Sequence, residues 1–159
     1  MYRTGIGFDV HALVADRPLI IGGVDIPHPK GLRGHSDADV LVHAVMDAIL
    51  GALALGDIGQ HFPDTDSKYK GADSLKLLSH VNALAAEKGF VCVNLDSIIM
   101  AEKPKMSPHI LEMRTNLAVA LKLKTDQVSI KATTTERLGL IGIEEGIAAQ
   151  AIVLLQSTV

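Results

Sequence analysis

Ile147-Ala148-Ala149-Gln150-Ala151-Ile152-Val153-Leu154-Leu155-Gln156 reads as a strand that is apolar on both faces. A strand with one face in water alternates apolar and polar residues, and this one does not. The chain upstream alternates strand and helix signals. Residues 3–8 read as a first strand ending at Asp9. Residues 19–21 and 24–26 flank Gly22-Gly23 as a β-hairpin with a two-glycine turn. Ser36 or Asp37 is expected to cap a helix of about 18 residues reaching Leu55. A polar loop over 56–71 precedes a second helix, expected over 72–87 and stopped by Gly89. A strand over 90–101 follows. Ser107-Pro108 then reads as the N-cap and first turn of a third helix ending near Leu121. Residues 128–134 read as a strand, and 139–146 as a turn region. This order predicts the α+β class, with helices on one face of a mixed sheet. Helices on one face leave the other face of 147–155 uncovered, and the simplest cover is another copy of the chain.

The bulk composition agrees with one folded unit over residues 1–159. Apolar residues make up 48% of the chain and aromatics only 3%, so Leu, Ile, Val and Ala must fill the core. A net charge of −3 gives no general attraction to nucleic acid or anionic membranes. The single cysteine, Cys92, cannot form an intrachain disulfide, which fits a reducing cytoplasm. Arg3, Asp9, His11 and Asp16 interrupt the start before any signal-like apolar run develops. A plastid protein freed of its transit peptide fits the same pattern. No apolar stretch approaches the roughly 20 residues of a membrane span.

Asp9-Val10-His11 places a carboxylate and an imidazole on one side of an extended segment. His43 sits on the first expected helix, with Asp39 and Asp47 four residues to either side. One Asp and two His suit Zn²⁺ with a fourth position open, the pattern of a catalytic metal. A D-x-H triplet alone is a weak signal, and a lone helix histidine is more often packed or capping. Two neighbours strengthen the metal reading. His35-Ser36-Asp37 precedes the helix, and Asp57, Asp64 and Asp66 follow it in a loop containing Phe62-Pro63.

Lys131-Ala132-Thr133-Thr134-Thr135-Glu136 leaves a strand for a glycine-rich turn. Threonine is first a strand former, but hydroxyls and turn N–H groups at a strand end also suit phosphate oxygens. Glu136 beside them suits a hard cation such as Mg²⁺. Lys103 and Lys105 flank Pro104 in a strand-to-helix loop that suits an anionic ligand. No Walker loop and no G-x-G-x-x-G is present.

Six segments occur in this order: Gly7-Phe8-Asp9-Val10-His11, His35-Ser36-Asp37-Ala38-Asp39, Gly56-Asp57-Ile58-Gly59, Phe62-Pro63-Asp64-Thr65-Asp66, Pro104-Lys105-Met106 and residues 131–136. Together, over nearly the whole chain, they resemble the 2-C-methyl-D-erythritol 2,4-cyclodiphosphate synthases of the non-mevalonate isoprenoid pathway. The resemblance implies a homotrimer with sheets around a central axis and active sites between subunits. It implies a substrate pocket that begins at Asp9, Val10 and His11, with Asp9, His11 and His43 as ligands of Zn²⁺. It implies His35 and Ser36 at the erythritol phosphates, His35 stabilising the transition state. Asp57, Ile58, Gly59, Phe62, Pro63, Asp64, Thr65 and Asp66 would hold the methylerythritol part. Ala101, Glu102, Lys103, Pro104, Lys105, Met106, Ser107, Thr133, Thr134, Thr135 and Glu136 would hold the CDP part from the neighbouring subunit. Thr134 would stabilise the transition state, and Glu136 would bind Mg²⁺ or Mn²⁺.

The chemistry implied is attack of the substrate's 2-phosphate on its own β-phosphate, with loss of CMP. Two rivals stand beside it. Two His and one carboxylate also make the facial triad of Fe(II) oxygenases, although those usually read H-x-D. A non-catalytic module with a structural metal is the other. Two positions depart from the resemblance: Leu140 stands where some members have an aromatic, and Ile143 where some have an arginine, at a turn facing the trimer interior.

Overall fold

β1 (Tyr2–Ala15) runs well past Asp9 in the computed structural model, which describes residues 1–159. Two partners share its length. β7 (Gly146–Ser157) pairs antiparallel with it from Tyr2 to Ala12, and β4 (Lys30–Leu32) takes over from Leu13 to Ala15. Asp9 and His11 therefore lie within a strand rather than at its end. β4 itself escaped the sequence reading, because three residues carry no periodicity.

β2 (Leu19–Ile21) and β3 (Val24–Ile26) form the expected hairpin. Gly22 and Gly23 have φ of 59° and 71°, the pair of left-handed residues that a type I′ turn requires. The main sheet has the order β4-β1-β7-β5-β6, with β5 (Phe90–Met100) and β6 (Val128–Thr133) its only parallel pair. α1 (Val40–Ala52), α3 (Ser74–Glu87) and α4 (Ile110–Leu121) are the main helices, joined by one-turn helices α2 (Ile58–His61) and α5 (Gly139–Gly142). No helix is long and apolar enough to cross a membrane.

α1 lies directly on β1 and β7. A Cβ on Gly5 or Gly7 would come within 1.9 Å of the Ala48 or Ala44 carbonyl oxygen, so glycine there sets the helix–strand distance. α1 is buried nearly all round, between β1 and β7 of the sheet and α3, which also packs on β5.

Three helix boundaries differ from expectation. Asp39, not Ser36 or Asp37, caps α1 by accepting from the Val42 N–H. Ala38 has φ of 57°, which breaks the helix before it begins. α1 ends before Leu55 because Ala54 is again left-handed, at 56°. Ser107 makes no capping bond; Ser107–His109 is a 3₁₀ turn, and α4 starts at Ile110.

The far side of the sheet has no cover. Ile6 is 61% exposed, Phe8 55% and Ile152 50%, with Tyr2 and Val10 in the same state. β7 is thus apolar toward α1 and apolar away from it, as its sequence suggested.

Candidate active site

Strand alternation sends Asp9 and His11 to the helix side of β1, where α1 presents His43 one turn after its N-cap. Asp9 Oδ2 lies 2.8 Å from His11 Nε2 and 3.0 Å from His43 Nδ1, and the two ring nitrogens are 3.1 Å apart. All three ligand atoms fall within 4.8 Å of one another.

Each imidazole is turned toward the cluster by a bond from its other nitrogen. His11 Nδ1 donates to the Arg33 carbonyl at 2.8 Å. His43 Nε2 meets Ser74 Oγ at 3.1 Å and Ser36 Oγ at 3.2 Å. The Ser74 hydroxyl in turn donates to Asp37, whose other oxygen accepts the Ser74 N–H at 2.9 Å. Two lone pairs and a carboxylate therefore converge, and the donor set fits one divalent cation with outer bonds fixing the rings.

Burial alone would raise the Asp9 carboxyl, but hydrogen bonds and charge from His11 and His43 hold it well below the usual carboxylate range. Burial likewise opposes protonation of His11, yet the Asp9 bond and charge outweigh it and move His11 upward.

The cluster opens into a cavity of about 360 Å³. His35, Ser36, Ile58, Gly59, Phe62 and Asp64 line it with Asp9, His11 and His43. His35 Nε2 donates to the Asp66 carbonyl at 3.1 Å, tying its loop to the 62–66 loop. Asp57 faces elsewhere as the N-cap of α2, accepting from the Gln60 N–H. Pro63 and Thr65 sit in the same loop without lining the cavity. Val10 lies on the opposite face of β1, its side chain exposed.

The other expected half stands apart. Ala101 and Thr133 meet at the ends of the parallel strands β5 and β6, joined by a 3.0 Å bond from the Ala101 N–H to the Thr133 carbonyl. Glu102, Lys103, Pro104, Lys105, Met106, Ser107, Thr134, Thr135 and Glu136 continue from that edge. None of these residues lines the cavity. Glu136 and Arg137 are both left-handed, with φ of 53° and 63°, so the chain turns sharply after Thr135. Leu140 in α5 and Ile143 at its C-cap stand exposed.

Asp39 and Asp47 are not part of the cluster. Asp39 is fully buried, with its oxygens held by the N–H groups of Gly22, Gly23 and Val42. Asp47 accepts from the Ile58 N–H at 2.8 Å and so fixes the start of α2. The sequence reading missed Ser74, which bonds His43 from outside the cavity lining, and five lining residues, Arg33, Gly34, Met46, Tyr69 and Leu77. Only Arg33 carried a signal, as a cation just before His35.

Comparison with known proteins follows the same line. The YgbB family model matches residues 2–156. The 2-C-methyl-D-erythritol 2,4-cyclodiphosphate synthase of Desulfitobacterium hafniense is 64% identical over 155 residues, 98% of each chain. That of Clostridioides difficile is 62% identical over 156 residues, 98% of this chain and 97% of the other. The solved bifunctional IspDF of Campylobacter jejuni superposes with a TM-score of 0.95 at 46% identity; the match covers 99% of this chain and 42% of that longer one. An IspF of Plasmodium falciparum, solved as a CDP complex, gives 0.88 at 32% identity, covering 99% and 97%. Identity at this level over nearly all of both sequences marks shared descent, and the chain belongs to the YgbB family, the family of the 2-C-methyl-D-erythritol 2,4-cyclodiphosphate synthases.

Proposed function

We propose that this chain converts 4-diphosphocytidyl-2-C-methyl-D-erythritol 2-phosphate into 2-C-methyl-D-erythritol 2,4-cyclodiphosphate and CMP, a step in non-mevalonate isoprenoid precursor synthesis. The observation that carries the reading is the Asp9–His11–His43 cluster opening into a cavity beside His35 and Ser36. An oxygen of the 2-phosphate bonds to the β-phosphorus of the same molecule. The bond from that phosphorus to the oxygen bridging the α-phosphate breaks, and CMP leaves with the electron pair. The nucleophile is already an anion, so position and charge matter more than a strong base.

Asp9, His11 and His43 would hold Zn²⁺ and Glu136 would hold Mg²⁺ or Mn²⁺; bound there, the cations would supply positive charge beside the reacting phosphates. His35 and Ser36 hold the erythritol phosphates, and His35 donates to the charge that builds during transfer. The loops carrying Asp57, Ile58, Gly59 and Phe62, Pro63, Asp64, Thr65, Asp66 enclose the methylerythritol, with Val10 contributing through its backbone. Ala101 through Ser107 and Thr133 through Glu136 hold the nucleotide, with Thr134 as the second transition-state donor.

The nucleotide half belongs to a neighbouring copy in this reading, and the active species is a homotrimer. Two features support it. The uncovered apolar sheet face needs a partner, and the nucleotide segments lie outside the cavity they are meant to complete. Residues 1–159 then act as one cyclodiphosphate synthase domain. The free, buried Cys92 suits the reducing cytoplasm.

The test is one reaction in ¹⁸O-water with Zn²⁺ and Mg²⁺, followed by phosphorus NMR. CMP and the cyclic diphosphate should appear together, and neither should gain label. Labelled product would mean hydrolysis and sink the transfer mechanism, and so would an absence of CMP.

A further inference from the structure

The loop that carries His35 and Ser36 is gripped from both sides. Just beyond β4 its backbone bends through Gly34, His35 and Ser36, and its carbonyls point to two sides. The carbonyls of Leu32, Gly34 and Ser36 all accept from one side chain, Arg17. Its Nε reaches Leu32 at 3.0 Å, Nη1 reaches Gly34 at 3.2 Å and Nη2 reaches Ser36 at 3.0 Å. The alternate carbonyls face away. That of Arg33 accepts from His11 Nδ1 at 2.8 Å, and that of His35 accepts the Gly71 N–H at 2.8 Å.

We infer that Arg17 is a positioning residue: by fixing the backbone of residues 32–36, it sets the ring of His11 and the placement of His35 and Ser36. Arg17 is half-buried between β1 and β2 and pairs with no carboxylate. All three of its bonds go to this one loop, so its charge is held by carbonyl dipoles alone. A guanidinium is planar, with its donors in a rigid fork, and can reach three carbonyls in a row; an ammonium is a point charge and cannot.

The consequence for His11 follows from hydrogen-bond direction. A carbonyl only accepts, so the Arg33 carbonyl keeps the proton on Nδ1 and leaves the Nε2 lone pair facing Asp9 and His43. Release of the loop frees that proton to move to Nε2, where it blocks the cluster. The same release lets Ser36 Oγ drift from His43 Nε2. Arg17 therefore acts on both imidazoles without touching either.

This inference rests on the reading of Asp9, His11 and His43 as metal ligands, and two measurements keep the two apart. The first is zinc affinity by chelator competition in the wild type, Arg17→Ala and Arg17→Lys. The second is nitrogen NMR of the His11 ring in metal-free protein, which reports where its proton sits. Arg17→Ala should bind zinc about 10–100-fold more weakly, the usual range for losing an outer-shell partner. Its His11 Nδ1–H should lose protection from exchange. Millimolar ethylguanidinium should restore both, whereas ethylammonium should not, and Arg17→Lys should recover only part. A purely structural loss would not respond to the added guanidinium. Wild-type affinity and a protected Nδ1–H in Arg17→Ala would overturn the proposal, as would a loss that ethylguanidinium leaves unchanged. Should Arg17→Ala fail to fold, wild-type values for both measurements in Arg17→Lys would overturn it equally. A wild type that binds no zinc would sink the metal reading, and the metal-free NMR would still judge Arg17.

Discussion

At the scale of single residues, three aspartates of one short stretch do different work. Asp37 anchors Ser74, Asp39 caps α1, and Asp47 holds α2. Asp39 has the clearest pH signature. Burial pushes its carboxyl up to about 6 against three N–H donors, with Asp37 adding like charge. In the unfolded chain it titrates near 3.9. Between those values the folded protein holds a proton that the unfolded chain has lost, so this group's contribution to stability falls as pH rises from about 4 to about 6. Asp39→Asn cannot titrate and should show a flatter profile over that window, measured as urea midpoints from pH 4 to 6.5. An unchanged slope would mean that Asp39 is already ionised there. The spacing of Asp39, His43 and Asp47 on one helix face was legible in the sequence. Their division of labour was not, because i, i+4 spacing does not say which groups meet N–H donors from other elements.

At the scale of elements, the contact of α1 with β1 decides where the cluster lies. His43 reaches Asp9 and His11 only because Gly5 and Gly7 let the helix backbone touch the strand. Gly7→Ala would force a methyl against the Ala44 carbonyl, one residue from His43. Overpacking of this kind costs about 1–3 kcal/mol, and a rigid backbone neighbour puts it at the upper end. Chemical denaturation should show a loss of about 3 kcal/mol, and zinc should bind more weakly in the same variant. Wild-type stability would mean that the helix yields easily. The sequence announced the hairpin through Gly22-Gly23 and the main helices through their apolar runs. It misplaced the cap of α1, because Ser36, Asp37 and Asp39 all satisfy the same rule, and that of α4, because Ser107 opens a 3₁₀ turn without making a capping bond. What decided between them was Ala38, a residue with no left-handed preference that the surrounding fold forces to a positive φ. The cavity lining was half legible: polar residues in motifs stood out, but Met46, Tyr69 and Leu77 come from elements whose meeting no local pattern records.

At the scale of the molecule, the uncovered sheet face and the divided site make one prediction. On the proposed function, His43→Ala keeps the nucleotide half intact and Glu136→Ala keeps the metal half intact. Each alone should be inactive. In a cyclic trimer containing both, one interface of three unites the intact halves, so random mixing should recover about a quarter of wild-type activity. Verified mixed trimers without activity would place each site within one chain. The doubly apolar β7 points to self-association from sequence alone, yet it says nothing of which segments a neighbouring copy would meet. The same strand has a further consequence, in time rather than space. β7 lies between β1 and β5 at the centre of the sheet, pairing Gly7 with Ala151. Nearly all of residues 1–157 must therefore emerge from the ribosome before residues 2–12 of β1 find their partner. Until then a long strand with apolar residues on its exposed face waits unpaired, and such non-local closure is slow. Synthesis of this protein should depend on whatever shields β1 in that interval, and a slower final stretch of translation should raise its loss to aggregation.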